Sequence, residues 1–198
     1  MADLNTRLLD AAHCGDAEQV TALLDGGADI ETRDDQRRTP LLLAALADHP
    51  EAARRLVAAG ADPDARDYRQ DTPWLVTGVT GSVEMMRALL PAHPDLTLTN
   101  RFGGVSVIPA SERGHVAYVR AVLAETDIDV NHVNRLGWTA LLEAVILGDG
   151  GSDHQEIVRL LLDAHASPSL SDADGVTPLQ HAERRGFDAI AQQLRATT

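Results

Sequence analysis

One pattern recurs six times along the chain, and its spacing constrains the fold more than any single motif. Thr39-Pro40-Leu41-Leu42-Leu43-Ala44-Ala45 is the clearest copy. Thr6-Arg7-Leu8-Leu9-Asp10-Ala11-Ala12 precedes it, and Thr72-Pro73-Trp74-Leu75-Val76-Thr77 follows it. Val105-Ser106-Val107-Ile108-Pro109-Ala110, Thr139-Ala140-Leu141-Leu142-Glu143-Ala144 and Thr177-Pro178-Leu179-Gln180-His181-Ala182 complete the series. Starts at 6, 39, 72, 105, 139 and 177 give steps of 33, 33, 33, 34 and 38. A fixed period of this length means that each unit lacks a core of its own and must stack on its neighbours.

The local chemistry of one unit follows from its residues. Thr39 is a good N-cap, and Pro40 suits the first helical position, where a missing N–H costs nothing. Leu and Ala favour the short helix that follows, which is expected to stop near Asp48-His49-Pro50. Pro50 can open a second helix whose inward residues are Ala52, Ala53, Leu56 and Val57, and Gly60 supplies a left-handed end. The run Ala61-Asp62-Pro63-Asp64-Ala65-Arg66-Asp67 then leads, through an extended turn, to Thr72.

The Thr-Pro-Leu-x-x-Ala start, the Gly closing the second helix and the Ala-Asp-x-x-x-x-Asp run resemble the ankyrin repeat family. That run occurs at Ala28 to Asp34 and again at Ala61 to Asp67. The resemblance covers about Thr6 to Leu194 and is nearest to bacterial proteins made only of repeats. It implies an all-α solenoid of six stacked helix-turn-helix units with β-hairpin finger loops. It also implies protein binding through a concave face of finger tips and first helices. The chain is read as one domain, 1–198, whose polar first and last units act as caps. Closed ends favour a complete chain and a monomer.

Composition narrows the function classes. Net charge is −13, with 30 acids against 17 bases, which disfavours nucleic acid and anionic membrane surfaces. Every base other than His is Arg, so a Schiff-base lysine and a phosphate-loop lysine are both absent. The single cysteine, Cys14, allows no intrachain disulfide and points to a reducing compartment, the cytoplasm; it is read as a small buried or half-buried residue. Met1 to Asn5 lack a basic and an apolar region, so no signal peptide is read, and no apolar run is long enough to span a membrane. The eight His form no H-x-x-x-H pair, so neither a metal nor any other cofactor is expected.

The units differ in ways that carry expectations. Arg37 and Gln70 occupy finger positions where the family has Gly, so those tips are expected to be more open or differently shaped. Pro91 should disturb the end of its helix, whose inward residues are Met85, Met86, Leu89 and Leu90. His93 and His165 stand at helix-ending Gly positions and are read as left-handed residues. Val105-Ser106 replaces Thr-Pro, and Pro109 sits where an N–H is needed, so the fourth unit's first helix should start late or bend. Five extra residues within Gly148 to His154 are read as a flexible loop.

Candidate binding residues cluster in units two to five. Tyr68, Arg69, Arg101, Phe102, Arg135, Leu136 and Trp138 fall on fingers and are expected to form a basic, aromatic ridge of the residue types that dominate interface energetics. Trp74, Glu112, Arg113 and Glu143 belong to the first helices. The favoured function is a non-catalytic module binding a protein or peptide through the concave face and fingers of repeats two to five. The alternative is a small-molecule site or enzyme in repeats three to five, with Glu112 or Glu143 as general base and Arg113 or Arg101 holding an anion. No catalytic or metal residue is assigned under the favoured reading.

Overall fold

The computed structural model describes residues 3–197; the part of the leader reading that concerns Met1 and Ala2, and the outermost ends of the domain assignment, lie outside them. Twelve α-helices occur among the described residues, and no strand. By its internal contacts the chain falls into two compact units, one ending at Arg101 and the other beginning at Phe102.

The first unit holds three helix pairs: α1 (Leu4–Cys14) with α2 (Ala17–Asp25), α3 (Pro40–Leu46) with α4 (Pro50–Ala58), and α5 (Pro73–Thr80) with α6 (Val83–Leu89). First helices pack on first helices, α1 on α3 and α3 on α5, while α2, α4 and α6 form a parallel second row. The second unit repeats the plan with α7 (Val107–Glu112), α9 (Ala140–Ile146) and α11 (Pro178–Arg185) in one row. Its other row is α8 (Val116–Glu125), α10 (Ser152–Asp163) and α12 (Asp188–Ala196). The core is mostly aliphatic, with Leu8, Leu41, Leu56, Met85, Met86, Leu141 and Ile157 fully buried beside the aromatic Trp74 and Tyr118. Val57 and Leu90, read as inward, are only half-buried.

Capping places the helices. Thr39, Thr72, Thr139 and Thr177 each accept the N–H three residues on, and Pro follows at three of the four. Thr6 does not cap; Asp3 does, accepting Thr6 N–H at 2.7 Å, so α1 starts at Leu4. Cys14 is exposed, because the inward stripe of α1 runs through Leu8, Ala11 and Ala12 and leaves residue 14 outside it. In the fourth repeat α7 begins only at Val107, and Ser106 makes no cap: its buried hydroxyl has no partner. Pro91 ends α6 in a short 3-10 turn, Leu90–Ala92. His93 and His165 take positive φ of 53° and 66°, as expected of left-handed helix ends.

Two expectations about loops change. Arg37 and Gln70 adopt φ of 63° and 67°, close to the 79° and 76° of Gly137 and Gly175 in other fingers. These tips therefore keep the common shape and carry strain in place of opening. The insertion in repeat five is tied down: α10 has 12 residues against nine in α4, absorbing part of it. Asp149 accepts from Gly151 N–H at 2.8 Å and faces His154 Nδ1 at 2.8 Å, which fixes the remainder.

Candidate functional site

Four fingers are each built by one Asp or Asn five residues before the helix cap. Asp34, Asp67, Asn134 and Asp172 accept, on one side-chain oxygen, the N–H groups two and four residues on, at 2.7–3.0 Å. Their own N–H donates to the carbonyl four residues on, closing a hairpin turn without a strand. Neighbouring fingers are laced by backbone bonds: Tyr68 N–H to Gln36 O at 3.1 Å in the first unit, Arg135 N–H to Phe102 O at 2.9 Å in the second.

In the first unit Tyr68 is the most exposed large hydrophobic side chain, at 68%. The Arg37 guanidinium lies 5.8 Å from its ring centroid. Arg69 and Arg101 are exposed, and Arg69 Nε lies 3.8 Å from Asp71. Burial, then the Asp67 charge, raise the Asp71 carboxyl above its ordinary range against the pull of both arginines. Trp74 does not belong to this surface. It is 1% exposed, and its indole N–H is buried without a partner. It stands at the third place of its unit, where Leu41 and Leu141 are equally sealed.

In the second unit Phe102 and Leu136 are each 52% exposed on adjacent finger tips. The Arg135 stem lies over Gly103, where an added Cβ would meet its Cγ at 2.7 Å. Trp138 is half-buried at the foot of its finger. Arg113 is exposed at the end of α7, and Glu112 beside it is half-buried. Glu143 is 6% exposed. Asn134 Nδ2 donates to its Oε1 at 2.8 Å. Burial, then the Glu112 charge, push the Glu143 carboxyl up to about 7 despite that bond.

Asn134 and His154 tie neighbouring elements together and were not singled out from sequence. The closing residue of the fifth finger is Asn, and the first helix opposite carries Glu143. In the sixth, Asp172 stands against His181 Nε2 at 2.7 Å. Reading the two positions together would have shown complementary pairs. His154, nearly buried, meets Asp149 with Nδ1 and the Glu112 carbonyl with Nε2 at 3.0 Å, joining the insertion to α7.

A family model for ankyrin repeats (three copies) matches residues 8–100, 75–172 and 110–197. The chain belongs to the ankyrin repeat family. It is 45% identical over 186 residues to the ankyrin repeat protein YahD of Escherichia coli strain K12, covering 94% of this chain and 92% of that one. An ankyrin repeat domain from Acinetobacter baumannii AYE superimposes with a TM-score of 0.92 at 47% identity, covering 96% of each chain. The ankyrin repeat protein EF0377 gives 0.92 at 34% identity, over 99% of this chain and 98% of that one. The ankyrin repeat domain of Bcl-3 gives 0.87 at 27%, over 99% and 87%. This ankyrin chain is thus an all-α solenoid of helix pairs and finger loops, and ankyrin repeats are in general protein–protein interaction modules. Among its described residues no helix is long and apolar enough to cross a membrane.

Proposed function

We propose that this ankyrin chain is a non-catalytic module, working as a monomeric domain in the cytoplasm, that binds a protein or peptide through the finger loops and first-helix face of repeats two to five. Each unit offers its own fingers: Tyr68, Arg69 and Arg101 in one, Phe102, Arg135, Leu136 and Trp138 in the other. The observation that carries the reading is the exposure of large apolar and aromatic side chains at successive finger tips, Tyr68, Phe102 and Leu136, in a chain with few aromatics. Such residues cost solvation when left in water and reward burial against a partner. Aromatic and Arg side chains also supply most measured interface hot spots.

The test replaces Arg101, Phe102 and Trp138 singly with Ala and measures recovery of a specific partner from native lysate of the source cell. Loss of a hot spot of about 2 kcal/mol weakens binding roughly thirtyfold. Recovery unchanged by all three substitutions refutes the reading.

A further inference from the structure

Building on that reading, we propose that the fingers of repeats four and five hold a partner segment in which a bulky apolar residue sits beside a Lys or Arg. The apolar residue packs on Phe102 and Leu136, and the cation is received by Glu112 and Glu143. The inference rests on the protein-binding reading and names its partner class.

The apolar half is given by two large side chains, half in water, on tips that a backbone hydrogen bond holds side by side. The acidic half is joined to them through one residue. Asn134 accepts the Leu136 N–H at 2.9 Å with its oxygen and donates to Glu143 at 2.8 Å with its nitrogen. The finger tip and the α9 carboxylate are therefore tied to the same side chain.

The carboxylates lack a cation of their own. Asn134 gives Glu143 a single neutral donor, which leaves burial and the Glu112 charge uncompensated. Among the described residues the Glu112 side chain makes no hydrogen bond or ion pair. Arg113 at the end of α7 is exposed and is not among the groups that act on Glu143, and other basic groups nearby are engaged elsewhere. His154 of α10 faces Asp149 and the Glu112 carbonyl, and His181 of α11 faces Asp172. Arg185 of α11 donates to the Val145 and Ile146 carbonyls at the end of α9. The Arg135 stem is laid over Gly103. A partner ammonium or guanidinium would relieve the Glu112–Glu143 repulsion, whereas a partner carboxylate would add to it. The net charge of −13 steers a basic segment toward the molecule and an acidic one away.

The experiment pans a random twelve-residue peptide library on the whole chain at pH 8. The best binder is then synthesised with its basic residue as Arg and as citrulline, which keeps the shape and removes the charge. Affinities are read by fluorescence anisotropy from pH 6 to 8, with light scattering for self-association. Enriched sequences should pair an apolar with a basic residue. Citrulline should bind at least tenfold more weakly than Arg, and Glu143→Gln should weaken the Arg peptide tenfold or more while barely changing the citrulline peptide. Phe102→Ala should weaken both, and affinity for the Arg peptide should rise toward pH 8 as Glu143 loses its proton. Glu112→Gln, at a less buried position, repeats the test at the second carboxylate and should also weaken the Arg peptide more than the citrulline peptide. The proposal is overturned by failure to enrich any peptide, by enriched sequences without a base, or by equal affinity for Arg and citrulline. Dimerisation abolished by Phe102→Ala would make a second copy the occupant and overturn it as well. Any of these results beside finger-dependent recovery of a lysate partner leaves the broader protein-binding reading standing.

Discussion

Glu143 should lower the stability of the free protein, by an amount that depends on pH. Its carboxyl is raised from 4.5 to about 7, first by burial and then by Glu112, with the Asn134 bond opposing. Each pH unit between the unfolded and folded values corresponds to 1.36 kcal/mol, so the ionised form costs the fold about 3 kcal/mol. The sign follows from proton binding. Between pH 4.5 and about 7 the folded chain holds a proton on Glu143 that the unfolded chain has released, so stability falls as pH rises through that window. The penalty is absent below it and complete above it. Glu143→Gln keeps an acceptor for Asn134 and removes the charge. It should therefore stabilise the protein by about 3 kcal/mol at pH 8 and change it by less than about 0.5 kcal/mol at pH 4.5. Urea unfolding of both proteins at pH 4.5, 6, 7 and 8, with equal slopes against denaturant, measures the difference directly. A stability difference that does not vary with pH would refute the argument. Glu112→Gln should recover part of the same gain at pH 8, because it removes the second of the two causes.

Two further outcomes test the loops. Gln70→Gly and Arg37→Gly should each raise stability by about 0.5–1 kcal/mol, since both positions hold positive φ in a turn that Gly137 and Gly175 adopt freely; thermal melts check this, and a lower Tm in both would contradict the strain. His154→Ala should cost about 2–3 kcal/mol and open the Gly148–Ser152 segment to protease, because the ring joins Asp149 to the Glu112 carbonyl; cleavage unchanged at this segment would show that the clasp does not hold it.

The sequence states most of this fold because helix starts are local. A Thr or Ser hydroxyl, a Pro ring and a terminal Gly act within three or four residues, so Thr39-Pro40 and Thr177-Pro178 announce their helices without help from the rest of the chain. The late start of α7 was legible for the same reason, from the loss of Thr-Pro at Val105-Ser106. Thr6 heads the first copy of the pattern without capping, because Asp3 starts the helix three residues earlier. The sealed position of Trp74 was available from register alone: its unit-mates are Leu41 and Leu141, both core. Side-chain size drew attention to it, but the place within the repeat decides burial. The shape of the Gly-free fingers was misjudged because the turn is set by Asp34 and Asp67, whose paired acceptor bonds outweigh the cost of a left-handed Arg or Gln.

The candidate site was harder to read because its chemistry lies between residues nine apart on different local structures. In repeats two and three the fifth place of the unit is apolar, Leu43 and Val76, and the finger residue opposite it is Asp34 or Asp67. Placing Glu there against an Asp would set two carboxylates together. The chain instead carries Asn134 opposite Glu143, and Asp172 opposite His181, so the polar choice on the helix is matched on the finger each time. Asn134 can still close the turn with its oxygen because the amide nitrogen is left over for Glu143. The match satisfies hydrogen bonding and leaves the charge of Glu143 beside that of Glu112 unanswered within the fold. An apolar residue at that place, as in Leu43, would be more stable above pH 7. A buried acid kept at a cost, under a finger whose tip presents an exposed Leu, is the arrangement expected where binding rather than folding sets the residue.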